Sequence, residues 1–197
     1  LEQGGSVPSV RTDGPAELKP APFSRETWNG RFESTHLDMD FQSLRQPVTE
    51  EWLSLTERPG FLRLKGMEPT VSTFRQSLIA RRVQAFDIEV ETCVEFQPSS
   101  FQQMAGLIAY YDTENHYYLR ISHDEELGRT LNIISTDAAN SGEILNNDVP
   151  LPPNGSIRLR LTINSASLRF EFATDGSEWQ RIGPTLDASI LSDDYSH

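Results

Sequence analysis

The chain has one cysteine, Cys93, among 197 residues. A single thiol excludes an intrachain disulfide and a multi-cysteine zinc site, and it fits a reducing, cytoplasmic setting better than a disulfide-stapled secreted domain. Long apolar runs are also missing. The longest, at residues 105–111, falls far short of the roughly 18 to 20 residues of a membrane helix. Positive charge is scarce: 17 Lys and Arg stand against 29 Asp and Glu, a net charge of −12. Such a field repels phosphate backbones and anionic lipid, which argues against nucleic-acid and membrane partners. No segment repeats apolar residues at the helical period with caps, and no fixed-period repeat occurs. Gly-x-Ser-x-Gly and glycine-rich phosphate loops are absent, so no nucleophile elbow or nucleotide cofactor is expected. Leu1 is not an initiator methionine, so the lack of a leader carries no weight.

What the chain does have is enough apolar mass for a core, including ten Phe, three Trp and five Tyr. Residues 1–30 are broken by Gly4, Gly5, Pro8, Gly14, Pro15, Pro20 and Pro22, and read as a linker or arm. From there to residue 197 the dominant period is two. Phe86, Ile88, Val90, Val94 and Phe96 alternate with Asp87, Glu89, Glu91 and Glu95, which predicts a half-buried strand. Ile157, Leu159, Leu161 and Ile163 alternate with Arg158, Arg160, Thr162 and Asn164. After a short turn Leu168, Phe170 and Phe172 continue the pattern, and Asp175-Gly176 marks the next turn toward Trp179 and Ile182. A third hairpin joins 104–111 to 117–122, and further strands are expected at 61–64, 74–80 and 129–135. Short strands spaced by turns, with no helices between them, predict an all-β, two-sheet antiparallel β-sandwich over 31–197.

Several polar groups suggest chemistry. Asp87, Glu89 and Glu91 lie on one strand face about 6.5 to 7 Å apart, a spacing that bears comparison with the paired carboxyl groups of glycoside hydrolysis. A lectin-fold glycanase would use them across a groove, whereas a solvated acidic strand face needs no such role. The acids of His123-Asp124-Glu125-Glu126 lack the alternation of a calcium loop and read as a hairpin turn. His36, His116 and His197 have no partners at metal or triad spacing, so they read as surface or turn histidines and no metal site is expected. Cys93 shares the face of the acids, which disfavours a thiolate. Tyr110, Tyr111, Tyr117 and Tyr118 offer either a sugar-stacking platform for a stand-alone carbohydrate-binding module or cross-strand packing.

Five stretches in order carry a resemblance. Trp52-Leu53-Ser54-Leu55-Thr56-Glu57-Arg58-Pro59-Gly60-Phe61-Leu62-Arg63-Leu64, Gln76-Ser77-Leu78-Ile79-Ala80-Arg81-Arg82 and Phe101-Gln102-Gln103-Met104-Ala105-Gly106-Leu107 are the first three. Tyr117-Tyr118-Leu119 before His123-Asp124-Glu125, and the run from Leu186 through Ser189 and Asp193 to Tyr195, are the others. Together they resemble the carboxy-terminal, concanavalin A-like jelly roll of family 43 glycoside hydrolases of the β-xylosidase type. The resemblance covers the chain from about Phe32, with Phe41 where the family usually has Trp.

The resemblance implies an accessory domain behind a five-bladed catalytic propeller of the same polypeptide. That propeller holds the carboxylates of inverting hydrolysis, and xylo-oligosaccharides, with arabinofuranosides as a side activity, are the substrate class. By the same resemblance residues 1–30 look like the tail of the propeller and its linker. No catalytic residue carries over to this chain, which alone is expected to be inactive, and no cofactor is implied. Phe101, Gln102 and Gln103 are the expected interface loop, and a homo-oligomer is compatible with the family. Family members continue past the position of His197 with more strand, which implies a sandwich cut short at both ends with an unpaired edge.

Overall fold

Alternating side chains dictate strands, and the computed structural model, which describes residues 30–195, contains thirteen of them. β1 (Gln42–Ser43), β2 (Leu53–Ser54), β3 (Arg63–Leu64) and β4 (Ile79–Ala80) are two-residue bridges. β5 (Asp87–Val94), β6 (Ala105–Tyr110), β7 (His116–Asp124), β8 (Gly128–Asp137) and β9 (Asn140–Glu143) follow. β10 (Val149–Pro150), β11 (Ile157–Asn164), β12 (Ser167–Thr174) and β13 (Gln180–Asp187) complete the set before a 3-10 turn over Ala188–Leu191. The unit they build begins at Phe32. The stretch read as a linker, apart from Gly30, and His197 lie outside the described residues.

Two antiparallel sheets form the sandwich. One runs β10-β8-β7-β6, with β9 also on β8, and the other runs β13-β12-β11-β5. In β11, Ile157, Leu159 and Leu161 are buried while Arg158, Arg160 and Thr162 face out, and β12 aligns Leu168, Phe170 and Phe172 on the inner side. Leu119 and Ile121 of β7 and Leu131 and Ile133 of β8 meet them in one core. Each such side chain contributes about 1.5–3 kcal/mol of burial free energy, which is what makes the alternation decisive.

Turns follow local chemistry. Asn164 pairs with Ser167, so Ser165 and Ala166 alone make the hairpin loop, and Ser165 takes a positive φ of 51°. Between β8 and β9 the left-handed positions are Ala138 and Ala139, residues that give no turn signal in a sequence. Opposite β12, β13 carries a bulge: Leu168 pairs with Leu186 and Phe170 with Ile182, so four steps on β13 face two on β12. Gly183 sits in it at φ 70°, and a Cβ there would lie 2.7 Å from Ile133 Cδ1.

Residues 32–80 build a second, smaller cluster in which Phe32, Leu37, Leu62 and Ile79 pack on buried Trp52, Leu53 and Leu55. The strand expected at 74–80 is confined to Ile79–Ala80. Gln76 turns its amide inward to the carbonyl oxygens of Pro69, Thr70 and Ser72, which folds the preceding loop back on itself instead of extending it.

Candidate functional site

Asp87, Glu89 and Glu91 share the outer face of edge strand β5, as their spacing requires, and Cys93 is exposed on the same strand. Register decides what they meet: Asn164, Thr162 and Arg160 of β11 stand opposite them in turn. Arg160 Nη2 lies 2.5 Å from Glu91 Oε1, its Nη1 3.4 Å from Glu171 Oε2, and its Nε 3.9 Å from Glu89 Oε1. Since Arg181 of β13 faces Glu171, one rung across four strands reads Arg181, Glu171, Arg160, Glu91, alternating in sign. The Trp179 ring centroid is 3.9 Å from Arg160 Cζ and 4.9 Å from Arg158 Cζ.

A general-acid carboxyl works from a dry pocket, yet the side chains of Glu89 and Glu91 are 58% and 46% exposed. The hollow on this face, about 210 Å³, is walled by Thr162, Arg169, Glu171 and Arg181 and by none of the three acids. As folded, the row is one side of an ion-pair ladder. A second hollow of about 320 Å³ on the β2–β3 hairpin has Glu50, Glu51 and Glu57 on its wall, with Arg63 holding Glu57 at 3.0 Å.

Phe101, Gln102 and Gln103 form a braced turn. The buried Ser122 hydroxyl lies 3.1 Å from the carbonyl oxygens of both Phe101 and Gln103 and donates to them. The Gln103 amide N–H donates to Ser100 O at 3.0 Å, and its side-chain oxygen accepts from the Ser99 N–H at 2.7 Å. On this frame the Phe101 ring is 63% exposed, an apolar group held in water by an ordered loop.

The outer face of the five-stranded sheet corrects one reading and decides between two others. His116 is not a surface or turn histidine: it is fully buried at the start of β7. Its Nδ1 lies 3.1 Å from the Asp112 carbonyl oxygen, which can only accept, so the proton sits there. Nε2 is then the acceptor, with one lone pair for the hydroxyls of Thr70 at 3.1 Å and Thr136 at 3.2 Å, and the Thr136 hydroxyl also lies 2.8 Å from Ser141 Oγ. Burial holds the imidazole below its ordinary pKa, against the pull of Asp112. The tyrosines make no solvent-facing platform either. Tyr117 points into the core and donates to Asp187 O at 3.0 Å, and burial pushes its hydroxyl up to about 12. Tyr110, Tyr111 and Tyr118 are each partly covered, and the Tyr111 hydroxyl donates to Asp193 Oδ1 at 2.5 Å.

Beside them Arg120, buried on the same face, pairs with Glu143 and lies 3.6 Å from Asp148 Oδ2. Asp148 in turn accepts from Thr130 at 2.6 Å and Asn132 at 2.5 Å. The outward side chains of this sheet are thus a buried polar layer that pins residues 32–80 and the 144–148 loop. The acids after His123 form the expected hairpin turn, where Asp124 Oδ1 accepts from the Glu126 and Leu127 N–H groups. Among the described residues no group of three or more His, Cys, Asp or Glu is arranged to hold a metal ion.

Comparison with known proteins gives these features their setting. The family described as the beta xylosidase C-terminal concanavalin A-like domain matches residues 29–197. A beta-xylosidase of Bacillus subtilis is 40% identical over 195 residues, which is 98% of this chain and 36% of its own length. A xylan 1,3-beta-xylosidase of a Vibrio species is 37% identical over 190 residues, 96% of this chain and 35% of its own. Among solved structures, xylan beta-1,4-xylosidase of Bacillus halodurans superposes with a TM-score of 0.85 at 44% identity, over 91% of this chain and 34% of that one. The chain spans about a third of the length of the relatives it matches. With its sandwich fold and this match across the whole described region, the chain belongs to the family of β-xylosidase carboxy-terminal concanavalin A-like domains.

Proposed function

We propose that the chain serves as the accessory β-sandwich of an inverting family 43 glycoside hydrolase whose catalytic carboxylates lie outside these 197 residues. The observation that carries this is the pairing of the β5 acids with Arg160: on an open sheet face Glu91 lies 2.5 Å and Glu89 3.9 Å from its guanidinium. The length of the relatives supports it, since about two thirds of each lies beyond the matched region. Those relatives are named as xylosidases, and the family resemblance extends the proposed substrate class to short xylo-oligosaccharides with arabinofuranosides as a side activity. Xylose units would be released by one carboxylate activating water and a second protonating the leaving oxygen. The single cysteine favours a cytoplasmic enzyme that finishes imported oligosaccharides.

In this reading the braced loop of Phe101, Gln102 and Gln103 docks against the catalytic propeller, with the Phe101 ring as its apolar anchor. The test compares the catalytic part joined to this chain, the same protein carrying Phe101→Ala, and the catalytic part alone. The reading expects the joined protein to have the highest kcat/KM on xylobiose and the highest melting temperature, with Phe101→Ala lowering at least one. Equal kinetics and melting in all three would overturn it.

A further inference from the structure

The bulge in β13 leaves a hollow of about 210 Å³ on the outer face of the four-stranded sheet, walled by Thr162, Arg169, Glu171 and Arg181. Arg181 faces Glu171 in register, but Glu171 turns instead to Arg160, 3.4 Å away. Arg181 is left to donate to Thr185 Oγ1 at 2.7 Å within the bulge. Arg169, one residue before the bulge closes, stands opposite Thr162. Among the described residues neither Arg169 nor Arg181 comes within ion-pair distance of a carboxylate. This is in a chain with twelve more acidic than basic residues, −12 in net charge, and next to Arg160, which is near three acids.

The backbone here is held by more than solvent. Gly183 keeps a left-handed φ of 70°, and a side chain there would strike Ile133 in the core. The bulge is therefore locked to the sandwich, and with it the separation of the two strands that carry the guanidiniums. Bulges of this kind re-aim side chains. Guanidinium pairs recognise a carboxylate through forked N–H donors. Thr162 and the free edge of Glu171 add a hydroxyl and an acceptor suited to sugar hydroxyl groups. The volume is below that of pockets for drug-sized ligands, so the occupant is about one ring in size.

On the xylan reading above, we propose that this hollow binds the carboxylate of a uronic-acid unit, so that the domain reads acidic decorations on its oligosaccharide partner. The guanidinium pair specifies the carboxylate and the polar wall the ring. The catalytic carboxylates play no part, so loss of this site leaves xylobiose turnover intact, and failure of the enzymatic reading leaves glucuronate binding measurable.

The experiment is an amide NMR titration of the 197-residue protein with sodium glucuronate. Xylose, sodium phosphate and sodium chloride at matched ionic strength serve as separate arms. The expected result is saturable shifts at Thr162, Arg169, Glu171 and Arg181 with glucuronate alone, at a dissociation constant of roughly 1–10 mM. The double variant Arg169→Gln, Arg181→Gln, whose positions are exposed and whose fold is checked by its spectrum, should weaken binding at least about tenfold. No response to glucuronate beyond the chloride arm, an equal response to phosphate or to xylose, or unchanged binding by the double variant would each overturn the proposal.

Discussion

Arg160 and Glu91 face each other in register on β11 and β5, Nη2 to Oε1 at 2.5 Å, and that pair fixes what the acidic strand is for. Arg160 is 19% exposed and stacks on Trp179 while bridging Glu91 and Glu171. Removing it as Arg160→Ala leaves Glu91 and Glu171 unneutralised on the two strands that flank β11 and uncovers the indole. The expected loss is about 2 kcal/mol, between the values for exposed and buried pairs. Glu91→Gln, at a half-exposed position, should cost less than about 1 kcal/mol. Urea unfolding of the two variants measures the asymmetry.

His116 predicts acid sensitivity. Its folded pKa lies below the ordinary imidazole value because of burial, so below about pH 6.5 the unfolded chain takes up a proton that the folded one resists. Its contribution is complete above that pH and is lost as pH falls toward the folded value. Melting at pH 7.5 and 5.5 should show the drop, and His116→Gln should flatten it at the price of a lower starting stability.

Asp187 predicts a second loss at lower pH. Its carboxylate caps the 3-10 turn by accepting from the Ser189 N–H at 2.9 Å, and that backbone bond first, then the Ser189 side chain, hold it below the usual carboxylate range. The stabilisation is present above about pH 3.9 and disappears as pH falls through the folded pKa. Asp187→Ala should cost about 1 kcal/mol at neutral pH, and Asp187→Asn less, because the amide oxygen still accepts. Thermal melts of both variants distinguish the cap from the charge.

Gly106 predicts the sharpest single-atom effect. It pairs with Arg120 on β7, and a Cβ there would fall 1.9 Å from the Leu119 carbonyl oxygen, a backbone atom that cannot swing away. Gly106→Ala should destabilise by more than about 2 kcal/mol. Gly142→Ala, where a Cβ has open space, should change stability far less. Denaturation midpoints of the two compare them directly.

The long hairpins were legible because one face of each is apolar: Ile157, Leu159 and Leu161 cannot alternate with Arg158, Arg160 and Thr162 in any other element. β9 was not legible, because Asn140–Glu143 is polar on both faces and its turn uses Ala138 and Ala139. The outer face of the five-stranded sheet was the deeper failure. His116, Arg120, Thr130, Asn132 and Thr136 alternate with apolar residues as a wet face would, yet all are buried beneath other parts of the chain. A polar layer tied down by hydrogen bonds and ion pairs within the chain looks the same in sequence as one wetted by solvent. For the acids, spacing placed Asp87, Glu89 and Glu91 on one face correctly. Only register with β11 brought Arg160 to Glu89 and Glu91, and the two strands lie too far apart in sequence for that to be read.

The most direct measurement is xylose release from xylobiose by the purified, folded 197-residue chain, beside Glu89→Gln and Glu91→Gln. The account predicts no release by any of the three. Release by the parent chain that either substitution abolishes would contradict it and make the β5 row an active site.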